Sequence, residues 1–308
     1  MPKLVVPPSE FNARYDRVRA FLDDQGLGAL FAYSPPMEHK WGQTGHVSYL
    51  SGWANHDRIV DSAVVIPATG QPVLLASGMQ FMLDQAAEVS PLTDMRLVQA
   101  IDPNAVAAQR PDAGVRQPRD FASVTLAILQ ENGVSDKDVG VVGLGTMPAP
   151  FYQALSHGLG SKLRHVDDIV AQIRSVKSDA EAAMMKRASQ LSDLGFRTML
   201  EVARAGMRGV EIIAEMERAV RREGADHAKY WMASGPPTDW NGARLDLKPH
   251  ERVLCEGDLM AACSYVVYQG YWAHGQRTGT LAKPLPSFER LYKIAREAQD
   301  EGLKQIQP

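Results

Sequence analysis

The sequence is poor in cysteine: Cys255 and Cys263 are the only two in 308 residues. Two thiols cannot build the disulfide framework of a small secreted scaffold, and they suit a reducing cytoplasm. Excess charge of one sign is also lacking, since 33 Lys and Arg stand against 36 Asp and Glu, for a net charge of −3. That balance excludes a whole-chain basic footprint for nucleic acid or an anionic membrane. No apolar run approaches the ~18–20 residues of a spanning helix. The apolar stretch at Leu4-Val5-Val6 is too short for a secretory signal. With 45% hydrophobic and 22% charged residues, the composition is that of a folded protein rather than a disordered one. At ~150 residues per domain, the length predicts two domains in a soluble, cytoplasmic protein.

The first part of the chain alternates helix and strand. Phe11, Tyr15, Val18 and Phe21–Leu22 fall at helical spacing within 10–25, and Ala29–Tyr33 reads as a short buried strand. A loop rich in Pro, Gly and His follows. Ser62–Ile66 and Pro72–Ala76 then read as two strands joined by a hairpin-length turn at Ala68-Thr69-Gly70. Further helices are predicted at Met79–Glu88, Asp120–Glu131 and Pro150–His157. Strands are predicted at Arg96–Ile101, Val139–Leu144 and Leu163–Val166, with an exposed loop at Pro103–Pro118. This order predicts a three-layer α/β domain. Gly143-Leu144-Gly145 follows a strand as a dinucleotide loop would, but Pro148 occupies the third glycine position, so it reads as a strand-to-helix turn.

The second part changes character. Met184, Ala188, Leu191, Gly195, Thr198 and Val202 form one face of a long helix over Ser178–Ala205. Ser178 with Glu181 makes a capping box at its start. A second helix, Val210–Glu223, ends at Gly224. The period then switches to two, with strands predicted at Tyr230–Ser234, Val253–Ser264, Val266–Ala273 and Arg277–Leu281, and a last helix at Ser287–Gln305. Two helices followed by antiparallel strands predict an α+β domain.

Several segments, taken in order, resemble the creatinase/aminopeptidase P/prolidase group, the pita-bread peptidases of the M24 family. Ile173-Arg174-Ser175-Val176-Lys177-Ser178-Asp179-Ala180-Glu181 is similar to that group's domain junction. Tyr49-Leu50-Ser51-Gly52-Trp53 resembles a segment of its N-terminal domain, and Gly206-Met207-Arg208-Gly209-Val210-Glu211 its turn between the first two catalytic-domain helices. Ala233-Ser234-Gly235, Gly257-Asp258-Leu259, Gly270-Tyr271 and Arg277-Thr278 fall in the same order. The resemblance implies a creatinase-type, ribonuclease H-like α/β domain at 1–173 and an α+β pita-bread domain at 174–308. It also implies a homodimer. The second segment is about half of a pita-bread domain, so the resemblance further implies that the later half of the domain is absent from this sequence.

Metal-dependent members hold two divalent ions through two Asp, a His and two Glu; a bridged ion pair lowers the pKa of a bound water. In that register the two Asp positions are Cys263 and His274 here, so neither carboxylate is present. Cys and His are weak candidates for a metal site, since both are zinc ligands, although a Cys on a buried strand is commonly an inert small hydrophobe. The metal-poor members creatinase and ectoine hydrolase are closer in spacing. In creatinase a Glu stands where this chain has Gln276, which removes a partner for a cationic guanidino group.

The resulting expectation is a C–N hydrolase, metal-independent or atypical in metal binding, for a small amino-acid-like, amidino or Xaa-Pro substrate, with no cofactor expected and a divalent metal possible. His274 is the proton-transfer candidate, because a neutral imidazole can take and return a proton near neutral pH. Trp240, Asn241, Gln276 and Arg58 are the candidate substrate contacts, Arg58 through its planar fork on a carboxylate. Arg277 reads as a structural residue of the strand pair. Three alternatives stand beside this reading. They are a metal-dependent Xaa-Pro peptidase, a catalytically inactive binding or dimerisation protein, and a lyase of the dimethylsulfoniopropionate type, which Ser234-Gly235-Pro236 resembles.

Overall fold

The computed structural model describes residues 6–35, 45–53, 60–78, 80–98, 120–236 and 252–306. The chain separates into two compact units, Met1–Ala183 and Met184–Pro308.

The first unit is built on a six-stranded sheet. Helix α1 (Pro8–Asp24) starts at a proline, whose missing N–H is one that a first helical turn leaves unpaired anyway. Strand β1 (Leu27–Ser34) follows, then α2 (His46–Ser51), β2 (Ser62–Pro67), β3 (Val73–Ser77), α3 (Gln80–Ala87) and β4 (Asp94–Val98). Helix α4 (Phe121–Glu131) begins where the Asp120 carboxylate accepts from the Ser123 N–H at 2.8 Å. Strand β5 (Asp138–Val142), α5 (Ala149–Leu159), β6 (Leu163–His165) and α6 (Asp167–Ser175) complete it. The strand order is β4-β3-β2-β1-β5-β6. β2 is antiparallel to β1 and to β3, and the other pairings are parallel.

Side chains alternate between two separate cores. Leu30, Ala32, Val64, Ile66, Leu74 and Ala76 pack with α1, α2, α3 and α6. Ala29, Phe31, Tyr33, Ala63, Val65 and Leu75 pack with α4 and α5. A sheet covered on both faces needs apolar residues at nearly every position, which is why these strands read as continuous apolar runs. The three-layer expectation holds for this unit. Gly143 is a turn residue: its φ is +95°, and a Cβ there would lie 2.5 Å from the Tyr33 carbonyl oxygen.

Two helices depart from the sequence reading. The stretch around α2 reads as loop, yet Val47, Tyr49 and Leu50 are buried there between Gly45 and Gly52, both in the left-handed region. Six residues are too few for a helical period to show in a sequence. Helix α6 was likewise not anticipated, and it buries Val170 and Ile173.

The second unit is smaller. Helix α7 (Asp179–Val202), most of which belongs to it, has its first residues in the first unit and starts there with the predicted capping box: Ser178 N–H donates to Glu181 at 3.0 Å, and Glu181 N–H donates to the Ser178 hydroxyl at 3.2 Å. Helix α8 (Gly209–Arg222) follows. Strands β7 (His227–Gly235), β8 (Leu259–Tyr268) and β9 (Tyr271–Thr280) form an antiparallel sheet in that order, and helix α9 (Pro286–Lys304) comes last.

The three strands expected between Val253 and Leu281 are in fact one long hairpin. The expected breaks near Tyr265 and His274 lie inside its ladder, where Tyr265 pairs with His274. The reversal is instead at Gln269-Gly270, with φ of +51° and +82°. Positive φ at both central residues is the two-residue turn that matches strand twist. Among the described residues no helix is long and apolar enough to cross a membrane.

Candidate functional site

The hairpin register divides the second sheet into two chemically different faces. Trp231 pairs with Cys263 and Cys263 with Gln276, while Lys229 pairs with Tyr265 and Tyr265 with His274. Directly opposed residues in an antiparallel ladder point the same way, and so do residues two apart along a strand. Lys229, Trp231, Cys263, Tyr265, His274 and Gln276 therefore share one face.

The opposite face is the core of the unit. Tyr230, Met232, Ala262, Ser264 and Val266 are buried on it. The Tyr230 hydroxyl donates to the Ser192 carbonyl at 3.2 Å, and the Ser192 and Ser264 hydroxyls meet at 2.7 Å. Gly195 makes room for this: a Cβ there would lie 2.0 Å from the Tyr230 hydroxyl. Arg277 also belongs to this face. Its guanidinium pairs with Asp193 of α7 at 3.1 Å and lies over the Phe196 ring. It therefore holds β9 to a helix rather than joining the two strands.

On the first face, Cys263 Sγ lies 3.0 Å from His274 Nε2. Cys263 is 2% exposed, whereas His274 is exposed. The Tyr265 ring sits between its neighbours, with centroids 4.7 Å from Trp231 and 4.9 Å from His274. Burial, followed by a hydrogen bond to the Cys263 sulfur and the charge of that group, pushes the Tyr265 phenol up to about 12. The phenol therefore keeps its proton near neutrality and is a donor toward the sulfur. A thiol, an imidazole and a phenol thus meet at one point. This arrangement can move a proton and can present a nucleophilic sulfur.

The entry to β8 is fixed by a separate device. Arg252 donates to both oxygens of Asp258, at 2.5 and 3.1 Å, and the Cys255 N–H donates to the same carboxylate at 2.7 Å. Burial opposes ionisation of Asp258, but these donors outweigh it and hold the carboxyl below the usual range.

Of the sequence candidates, the structure brings Cys263, His274 and Gln276 to one face. Trp240, Asn241 and Arg58 lie outside the described residues. Cys263 is buried, as its strand position suggests, and its sulfur also contacts an imidazole. Trp231 and Tyr265 escaped the sequence reading. Their signal was alternation: a hairpin turned at Gln269-Gly270 places residues 263, 265 and 274 on one side, and the pairing of β7 with β8 adds residue 231.

Residues 183–308 match metallopeptidase family M24. The chain is similar to an uncharacterized peptidase of Bacillus subtilis, 26% identical over 48% of this chain and 41% of that protein. It is similar to a Xaa-Pro dipeptidase of Pyrococcus horikoshii, 24% identical over 55% of this chain and 49% of that protein. These matches span less than half the length of either relative. In fold it matches a Xaa-Pro dipeptidase from Bacillus anthracis with a TM-score of 0.71 at 19% identity, covering 96% of this chain and 72% of that one.

The family match brings divalent-metal chemistry into question, and the donor set provides the test. A bridged ion pair needs carboxylates, which suit hard and borderline cations. At the two positions where the resemblance places Asp, this chain has one thiol and one imidazole, hydrogen-bonded to each other. Among the described residues no three His, Cys, Asp or Glu side chains assemble as a metal-binding group. The residues present do not fit a carboxylate-bridged metal pair. The likeness to metallopeptidase family M24 is thus carried by residues 183–308.

Proposed function

We propose that the protein hydrolyses a C–N bond in a small substrate with an amino-acid-like, amidino or Xaa-Pro framework, with His274 as the proton-transfer group. The observation that carries this reading is the exposed His274 imidazole, held 3.0 Å from Cys263 on the open face of the second sheet. The family match supports hydrolase chemistry, and the named dipeptidases support a substrate of this size. An imidazole accepts a proton from the attacking group and returns it to the departing nitrogen. Gln276 is two residues along the same strand and offers an amide where creatinase has a carboxylate. That exchange favours a neutral or anionic group over a guanidinium. Trp240, Asn241 and Arg58 belong to this reading as further substrate contacts.

The test is turnover of Xaa-Pro dipeptides, guanidino compounds and ectoine-like compounds, with and without chelator. At least one should be hydrolysed in chelator, with a loss of about 10²–10⁴-fold in His274→Ala. Turnover that disappears in chelator and returns with divalent metal would instead identify a metal-dependent Xaa-Pro peptidase. Binding of a compound without turnover would identify an inactive relative.

A further inference from the structure

We propose that Cys263 and His274 form a thiol–imidazole nucleophile pair, with Tyr265 positioning the sulfur, that attacks an electrophilic acyl or amidino carbon carrying an amine leaving group. This deepens the hydrolase reading above by giving the same site a covalent step. The reactivity of the thiol can nevertheless be measured without any turnover.

Three observations converge on the sulfur. Its 3.0 Å contact with His274 Nε2 is within the range expected of a nucleophile and its base. Tyr265 is two residues from Cys263 along the same strand on the same face, its ring 4.9 Å from that of His274, and its phenol keeps its own proton, so it can donate to a developing thiolate. The third is placement. Cys263 is on the middle strand, Trp231 is its direct partner on β7, and Gln276 its direct partner on β9. The sulfur therefore stands at the centre of its face while the imidazole beside it is open to solvent.

The chemistry balances with water as the only co-reactant. As Sγ bonds to the carbon, the thiol proton passes to His274 Nε2. The C–N bond then breaks, and the departing amine takes that proton from the imidazolium. Water next adds to the carbon of the thioester, or of its amidino counterpart. The C–S bond breaks, one proton returns to sulfur, and the pair is regenerated.

Cys255 supplies an internal reference, because it is exposed and lies outside this face. The experiment alkylates the native protein with iodoacetamide near neutral pH, with and without chelator, and follows both cysteines by peptide mass spectrometry. A free thiol is only a few per cent thiolate at this pH. A paired thiol should therefore gain about ten-fold in rate, less than the full thiolate ratio because nucleophilicity falls with basicity. The Cys263-to-Cys255 rate ratio should be higher in the folded protein than in denaturant. It should fall about ten-fold in His274→Gln and by less in Tyr265→Phe, with the Cys255 rate unchanged. A ratio that is lower in the folded protein than in denaturant overturns the proposal. So does a ratio that is the same in folded His274→Gln as in the parent. If His274→Gln fails to fold, the folded-to-unfolded comparison in the parent decides alone. Fast alkylation without hydrolysis would leave the pair standing and remove the hydrolase reading; hydrolysis with an inert Cys263 would do the reverse.

Discussion

The two sheets of this protein bury their faces differently. The first-unit sheet is covered on both sides, and its central strands β1, β2 and β3 are buried at every position. The second-unit sheet packs one face against α7 and α8. Its other face carries Trp231, Cys263, Tyr265, His274 and Gln276, and exposure rises toward the edge strand β9. A doubly covered sheet has no position where a reactive side chain meets solvent, so its polar residues are structural. A sheet covered on one face by its helices aligns every second residue on the other, where among the described residues the exposed His274 imidazole sits beside the buried Cys263 thiol.

The sharpest contrast is between a buried charge in the first unit and a paired charge at the rim of the second sheet. Arg14 is 1% exposed, bonds the Tyr49 carbonyl at 2.6 Å and lies 3.6 Å from Glu181, itself 3% exposed. It also reaches Glu10 at 3.3 Å and stacks on the Tyr49 ring. Replacing it by Met leaves two carboxylates without their cation, a loss of roughly 3–5 kcal/mol. Hydrogen exchange should then rise in β1 and β2 while β7 and β8 keep their protection. Equal loss of protection in both would show one cooperative unit and dissolve the contrast.

The smaller effect is at Asp258. Its carboxyl is held low in the fold, so the stabilisation is present above the unfolded value of about 3.9 and is lost as pH falls through the folded value. Asp258→Asn should therefore cost about 1–3 kcal/mol at neutral pH. The gap to the parent should close below about pH 4. A gap that stays constant from pH 7 to pH 3, followed by chemical denaturation, would show that the charge on Asp258 does not contribute.

The same difference between the sheets explains what could be read from the sequence. Continuous apolar strands and long amphipathic helices announce themselves, so β1, β2, β3, α1, α4, α7 and α8 were legible to within a few residues. The capping box at Ser178 and Glu181 was legible because it is a local pattern. Helix α2 was not, because its stability comes from burying Val47 and Leu50 and not from its own six residues. At the candidate site, His274 and Cys263 were visible as single positions. Their pairing was not, because it depends on a register fixed by the Gln269-Gly270 turn. Gln-Gly is a weaker hairpin signal than Asn-Gly or Asp-Gly, and mislocating the turn scattered onto separate strands residues that share one face.

The central claim is that Cys263 and His274 bond to each other where a metal-dependent relative would hold carboxylates. Anomalous scattering from crystals grown with zinc or manganese tests it most directly. The account predicts a thiol–imidazole contact near 3.0 Å with no anomalous peak between the two atoms. A metal peak at about 2.0–2.3 Å from both Sγ and Nε2 would contradict it.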